Sequence, residues 1–300
     1  GLDIEFFAFD PEEMTLDVDK TKAKVEDLKS QGKLPKIAMF GGSVFLFPHP
    51  VKELAEFLKG HGMHINYDAA HVAGLIAGGK FQDPLREGTD TMTMSTHKTL
   101  FGPQGGLVIG SEEHAEPIKK AMFPGLTSSH HIHHMGAKAV AFAEALEFGK
   151  DYAEQTIKNA KALASELNNV GFKVLGEKRG YTESHQTVVN VLDYGDGGTI
   201  EADLEKANII VNRQLIPGDL KAGRHYMHPG GIRLGTSEIT RLGMKESEMK
   251  EIASLLKQVV VDKKDAGEIA AHVKEFKTDF KKTQYCFDNK LGAYEYVKLR

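Results

Sequence analysis

Apolar positions along the first half of the chain follow two rhythms. Short runs rich in aromatic and β-branched residues at 2–9, 37–40, 63–67 and 91–95 read as strands. Between them, residues 16–29 place Val25 and Leu28 on one helical face, and 51–59 do the same with Leu54, Phe57 and Leu58 before Gly60 and Gly62. Strand, helix and strand in alternation predict an α/β fold with a mostly parallel sheet. Chemistry in such sheets gathers at the carboxyl ends of strands. Ser43, Asp68 and Lys98 all fall at predicted carboxyl ends. Gly102, Gly105 and Gly106 predict a sharp turn behind the lysine.

The pattern changes in the second half. A long Ala-rich helical stretch at 137–167, interrupted near Gly149, leads to short strands at 172–175, 187–191, 209–212 and 232–234. Helices at 200–206, 246–260 and 267–280 alternate with them. The expected organisation is a larger domain over 1–143 and a smaller C-terminal α+β domain over 144–300. The Gly-, Pro- and His-rich segment 217–231 reads as a functional loop rather than a linker.

Composition narrows the class. With 41% hydrophobic and 27% charged residues in 300, a folded globular protein is expected. Lys plus Arg number 38 against 42 for Asp plus Glu, so charge gives no reason to expect nucleic acid or an anionic membrane as a partner. The longest uncharged, mostly apolar stretch, 37–48, is shorter than the roughly 20 residues of a membrane helix. A single cysteine, Cys286, excludes an intrachain disulfide and a Cys-based zinc cluster, which fits a cytoplasmic setting. No signal-peptide pattern opens the sequence.

Asp68 and Lys98 each end a predicted strand and would face one crevice. That pairing suits a pyridoxal phosphate enzyme, in which a lysine amine condenses with the aldehyde and a carboxylate keeps the pyridine nitrogen protonated. Ala69, Ala70, Ala73 and Gly74 leave room for a flat ring. Plainer readings stand beside this one. Asp68 could cap a helix, His71 could be a core histidine, Ser43 a turn residue and Arg233 a member of an exposed ion pair. The histidines at 130, 131, 133 and 134 spread around a helix start, so a packing or interface role is expected rather than a metal site.

Four segments in order, DAAHVAGLIAGG (68–79), STHKTLFGPQGGL (95–107), FPG (123–125) and GGIRLGTSEITRLGM (230–244), resemble serine hydroxymethyltransferase. TESHQ (182–186) and the aromatic-rich C-terminal tail look most like archaeal-type members. The resemblance implies a fold type I pyridoxal-phosphate transferase acting as a homodimer. Its reaction would interconvert serine and glycine, with the hydroxymethyl carbon passing to tetrahydrofolate or tetrahydromethanopterin. Lys98 would then be the Schiff-base lysine and Asp68 the partner of the ring nitrogen. His71 and Ser43 would lie near the cofactor's phenolic oxygen, while Ser95 and His97 would steer the lysine and bind phosphate. Arg233 would clamp the substrate carboxylate through a two-pronged hydrogen bond.

Members of that family run longer, and the resemblance places the extra length at the front. There it would supply the amides that cradle the phosphate, a ring-stacking histidine and groups that manage protons at the substrate hydroxyl. The chain is therefore expected to be the rear part of such an enzyme, with a site it cannot complete by itself. Gln104, where many bacterial members carry Arg, and Ser128-Ser129, in a usually Gly-rich stretch, depart from the pattern. A threonine aldolase-like lyase and a non-catalytic remnant of the family are the alternatives.

Overall fold

The computed structural model describes residues 2–288 and Gly292, and the chain divides into two compact units, 1–150 and 151–300. Apart from Gly292, the tail beyond Asp288 lies outside the described residues. In the first unit, β1 (Phe9–Asp10) and β2 (Thr15–Leu16) form a short antiparallel ribbon ahead of α1 (Val18–Ser30). Then follow β3 (Ile37–Gly41), α2 (Val51–Gly60), β4 (His64–Asp68), α3 (Ala73–Ala77), α4 (Pro84–Glu87), β5 (Thr91–His97), β6 (Phe101–Gly110) and α5 (Ala115–Lys120).

The sheet order is β3-β4-β5-β6, with β3, β4 and β5 parallel and β6 antiparallel to β5. It is mixed but mostly parallel. Gly41 registers opposite Asp68, and Asp68 opposite Thr93, so β5 continues beyond the level at which β4 ends. Burial explains the alternation: Phe40, Ile65 and Tyr67 of the strands and Leu54 and Leu58 of α2 are fully enclosed. Asp17 caps α1 by accepting the Lys20 N–H, and Val25 and Leu28 form its buried face.

Two expectations fail in this unit. The run 2–9 forms no ladder before Phe9, because no strand lies alongside it among the described residues; Leu2, Ile4 and Phe6 are exposed. Its anchors are instead the Phe7 ring, stacked on Phe40 at 5.0 Å, and the Phe6 carbonyl, which accepts from Lys24 Nζ. A β-like composition specifies an extended chain but not a partner for it. The glycines at 102, 105 and 106 do not form a sharp turn either. They lie within β6, and the turn is the tight segment 98–100 before it. Glycine suits this strand because a Cβ at Gly102 would meet the Thr96 carbonyl oxygen at 2.8 Å.

α6 (Ile132–Asn169) carries the chain through the division at residue 150. It is one uninterrupted helix, so Gly149 does not break it; a lone glycine weakens a helix without ending it. The second unit continues with β7 (Lys173–Val174), β8 (Gln186–Asn190), α7 (Gly197–Lys206), β9 (Asn212–Gln214), β10 (Gly231–Gly235), α8 (Ser237–Arg241), α9 (Glu246–Val260) and α10 (Ala266–Phe276). Its sheet, in the order β7-β8-β10-β9, is antiparallel throughout. β9 starts where the sequence pattern ends its strand, because Val211 turns into the core while Asn212 begins the pairing with β10. Leu163, Leu167, Val189, Ile200, Ile232, Leu256 and Val260 belong to that core. No helix among the described residues is long and apolar enough to cross a membrane.

Candidate active site

β4 delivers Asp68 to the carboxyl edge of the sheet. There its Oδ1 accepts the Ala70 N–H at 2.9 Å, which fixes the carboxylate over the turn that follows. Val72, not Asp68, stands at the start of α3, so the carboxylate does not cap that helix. The same turn carries His71, which is half-buried and outside the core. Lys98 follows the last residue of β5 and is exposed. Its Nζ lies 3.2 Å from His71 Nε2. An amine, an imidazole and a carboxylate thus share one strand-end turn system.

The neighbouring residues define the lysine's base. Ser95 is half-buried on β5 opposite Gly106, and the ladder shifts register between Ser95 and His97. Four β6 residues, 102–105, face the single residue Thr96 there, so the regular pairing breaks just ahead of the lysine. His97 is exposed, and its Nδ1 accepts the Gly105 N–H at 3.3 Å, so the neutral ring carries its proton on Nε2. Thr96 is fully buried and donates to the Pro103 carbonyl at 2.7 Å. Ser43 is exposed two residues beyond β3, at the same edge as Asp68.

Arg233 belongs to the second unit. It sits at the middle of β10 opposite Val188 and Asn212, and its Nη2 donates to Asn212 Oδ1 at 3.1 Å. Burial disfavours its charge, with the Tyr226 phenol acting the other way.

Two contributors are not named by the sequence reading. Thr99 is buried beside Lys98, and its hydroxyl bonds to the turn that holds His71. His49 accepts the Gly41 N–H on Nδ1 at 3.1 Å, and its backbone N–H donates to Gln82 Oε1 at 2.9 Å. Tyr67 donates to the same Gln82 oxygen at 2.7 Å. Burial pulls the His49 imidazole down to about 4, so it is neutral in this network. The available signal was a polar residue inside the apolar run FLFPHP at 45–50.

The serine hydroxymethyltransferase family profile matches residues 3–256. Relatives named serine hydroxymethyltransferase from Nitrosopumilus maritimus and Cenarchaeum symbiosum are 76% and 74% identical over 300 residues, spanning 100% of this chain and 68% of their own lengths. The one from Methanothermobacter marburgensis is 50% identical over 299 residues. Among solved structures, L-threonine transaldolase from Pseudomonas fluorescens in its internal aldimine state is similar at a TM-score of 0.82 and 31% identity, over 95% of this chain and 63% of that one. The α/β architecture is thus that of fold type I pyridoxal-phosphate enzymes, and the shared description of the relatives does not favour the lyase alternative. By its profile over residues 3–256 and by relatives matched along the whole chain, the chain belongs to the serine hydroxymethyltransferase family.

Proposed function

We propose that the protein of which this chain forms the described part is a pyridoxal-phosphate-dependent serine hydroxymethyltransferase. It would convert serine and a tetrahydropterin, either tetrahydrofolate or tetrahydromethanopterin, to glycine and the one-carbon pterin. The observation that carries the reading is the 3.2 Å approach of Lys98 Nζ to His71 Nε2, on the turn that begins at the strand-ending Asp68.

The donor set fits the cofactor. Lys98 supplies an exposed amine for the aldehyde and Asp68 a half-buried carboxylate for the ring nitrogen, with the small, half-buried Ala70 beside them; Ala69, Ala73 and Gly74 pack inward instead of leaving room for the ring. When bound, pyridoxal phosphate supplies an electron sink for the pair left on the substrate α-carbon. This chain's residues are assigned the following parts. His71 Nε2 accepts from the Lys98 amine and orients it; Ser43 and His71 are assigned to the cofactor's phenolic oxygen. Ser95 and His97 hold the lysine's base and contribute toward phosphate. Arg233 is assigned to the substrate carboxylate, whose negative charge would offset the burial that disfavours the guanidinium. Residues 1–143 act as the carboxyl-terminal part of the cofactor domain and 144–300 as the small domain. The assembly is a cytoplasmic homodimer.

The test is spectroscopic and then chemical. Full chain mixed with pyridoxal phosphate is expected to gain a visible band near about 420 nm, typical of a lysine-bound cofactor, and Lys98→Ala is expected to lose it. Pterin-dependent release of glycine from serine by the protein containing this chain then identifies the transferase. A band that persists in Lys98→Ala would overturn the assignment of the lysine.

A further inference from the structure

We infer that Thr99 is a positioning residue that sets Lys98 against His71. The inference rests on the assignment of Lys98 above and adds a residue that assignment does not use. Thr99 is 1% exposed, and its hydroxyl is engaged in both directions. It donates to the His71 carbonyl oxygen at 2.8 Å and accepts the Gly74 N–H at 3.0 Å. A hydroxyl has one proton to give and lone pairs to receive. This one side chain therefore fastens two backbone groups of the 71–74 segment to the residue next to Lys98.

The backbones meet independently of that hydroxyl. A Cβ placed on Gly74 would stand 2.1 Å from the Thr99 carbonyl oxygen and 2.8 Å from the Leu100 nitrogen. Only a residue without a side chain lets the start of α3 lie against the lysine turn so closely. Lys98 has a long, flexible stem and is exposed, so its own contacts do not hold it in one place. The link from Thr99 to the His71 carbonyl fixes the two backbone segments that carry these groups relative to each other. From that fixed base the Lys98 amine reaches to 3.2 Å from the His71 imidazole.

A simpler role competes with this one. Thr99 could merely satisfy buried backbone groups, as Thr96 does when it donates to the Pro103 carbonyl at 2.7 Å. Thr96 is just as buried, but its hydroxyl ties β5 to β6 and makes no bond to the 71–74 segment. It is the natural control.

The experiment uses the full chain with Thr99→Val, Thr99→Ser, Thr96→Val, His71→Ala and the double variant His71→Ala/Thr99→Val. Each is treated with pyridoxal phosphate, trapped with borohydride, and the labelled lysine located by peptide mass spectrometry. Losing the hydroxyl leaves a buried N–H without its partner, so Thr99→Val is expected to slow labelling at Lys98 about tenfold. Thr99→Ser and Thr96→Val should stay within about twofold of the parent, since each keeps the Thr99-position hydroxyl. In the His71→Ala background, adding Thr99→Val should change the rate by less than about twofold, because the group through which Thr99 acts is gone. Parent-like labelling in Thr99→Val, or an equal loss with and without His71, would overturn the inference.

Amide hydrogen exchange across 69–78, measured with no aldehyde present, separates this inference from the assignment of Lys98. If the parent chain is not labelled at Lys98, that assignment falls, and exchange alone decides. Exchange about tenfold faster in Thr99→Val and parent-like in Thr99→Ser supports the Thr99 link; parent-like exchange in both sinks it.

Discussion

Gly41 shows how a residue with no side chain can govern a charged one. Its φ of +92° lies in the left-handed region, and β3 registers it directly opposite Asp68. A Cβ there would meet the Asp68 carbonyl oxygen at 2.2 Å. Gly41→Ala is therefore expected to destabilise the chain by roughly 1–3 kcal/mol in urea unfolding and to weaken cofactor binding, because the strand end carrying Asp68 must move. Unchanged cofactor affinity in a folded Gly41→Ala variant would show that Asp68 is not held by this contact. Asp68, His71 and Lys98 are legible as candidates in the sequence because each residue type carries chemistry, and one ends a strand while another follows one. The packing roles of Gly41, Gly74 and Thr99 are not. Their roles arise from close approaches between segments far apart in sequence, and no local pattern encodes those. His49 was hidden for the same reason: its partners Gly41 and Gln82 lie at the end of β3 and in the connection between α3 and α4.

At the scale of elements, hydrophobic periodicity located β3, β4, β5 and α2 to within a residue or two. Besides the unpaired run 2–8, the differences between pattern and fold fall at glycines, which the pattern alone reads as breakers. In β6 the glycines lie in a strand rather than a turn, and at Gly102 the Thr96 carbonyl oxygen leaves no room for a Cβ. In α6 Gly149 is buried in the middle of a helix. The neighbours nearest to a Cβ at that position would be the Ala145 Cβ at 3.8 Å and the Gly78 Cα at 3.9 Å, which are ordinary contacts. Nothing in the packing requires glycine, and the residue loses more freedom in a helix than alanine does. Gly149→Ala is thus expected to stabilise the chain by about 0.5–1 kcal/mol, read as a higher urea midpoint with an unchanged slope. A loss of stability would mean that the helix needs to bend there. The short strands of the second unit were placed less well, since runs of two to three residues give periodicity little to act on.

The whole molecule contains two units, each with its own buried groups, and their acid responses differ in pH window. In the first unit His49 is held neutral by burial at about 4, against an ordinary value of 6.5. An unfolded chain takes up that proton as pH falls below 6.5 while the native unit does not, so stability is lost between pH 6.5 and about 4 and then levels off. At 1.36 kcal/mol per pH unit the loss approaches roughly 3 kcal/mol. His134, in the same unit, shifts in the same direction through burial and its neighbours His133 and His131. In the second unit burial works to raise the Asp196 carboxyl, but the Thr199 hydroxyl and N–H, His228 and the Gly198 N–H together hold it at about 2. That capping interaction at the start of α7 is complete above the ordinary carboxylate value of 3.8 and fades as pH falls toward 2; solvent screening keeps its size small. Acid should therefore loosen the first unit before the second. Hydrogen exchange measured by peptide along a descending pH series, corrected for intrinsic rates, should show protection falling in β3 and β4 between pH 6 and 4.5 while α7 and β8 hold theirs. His49→Gln, which keeps an acceptor for the Gly41 N–H but cannot titrate, should flatten the response of the first unit alone. If protection in both units falls together, or if His49→Gln leaves the slope of β3 and β4 unchanged, the buried imidazole is not the group that sets it.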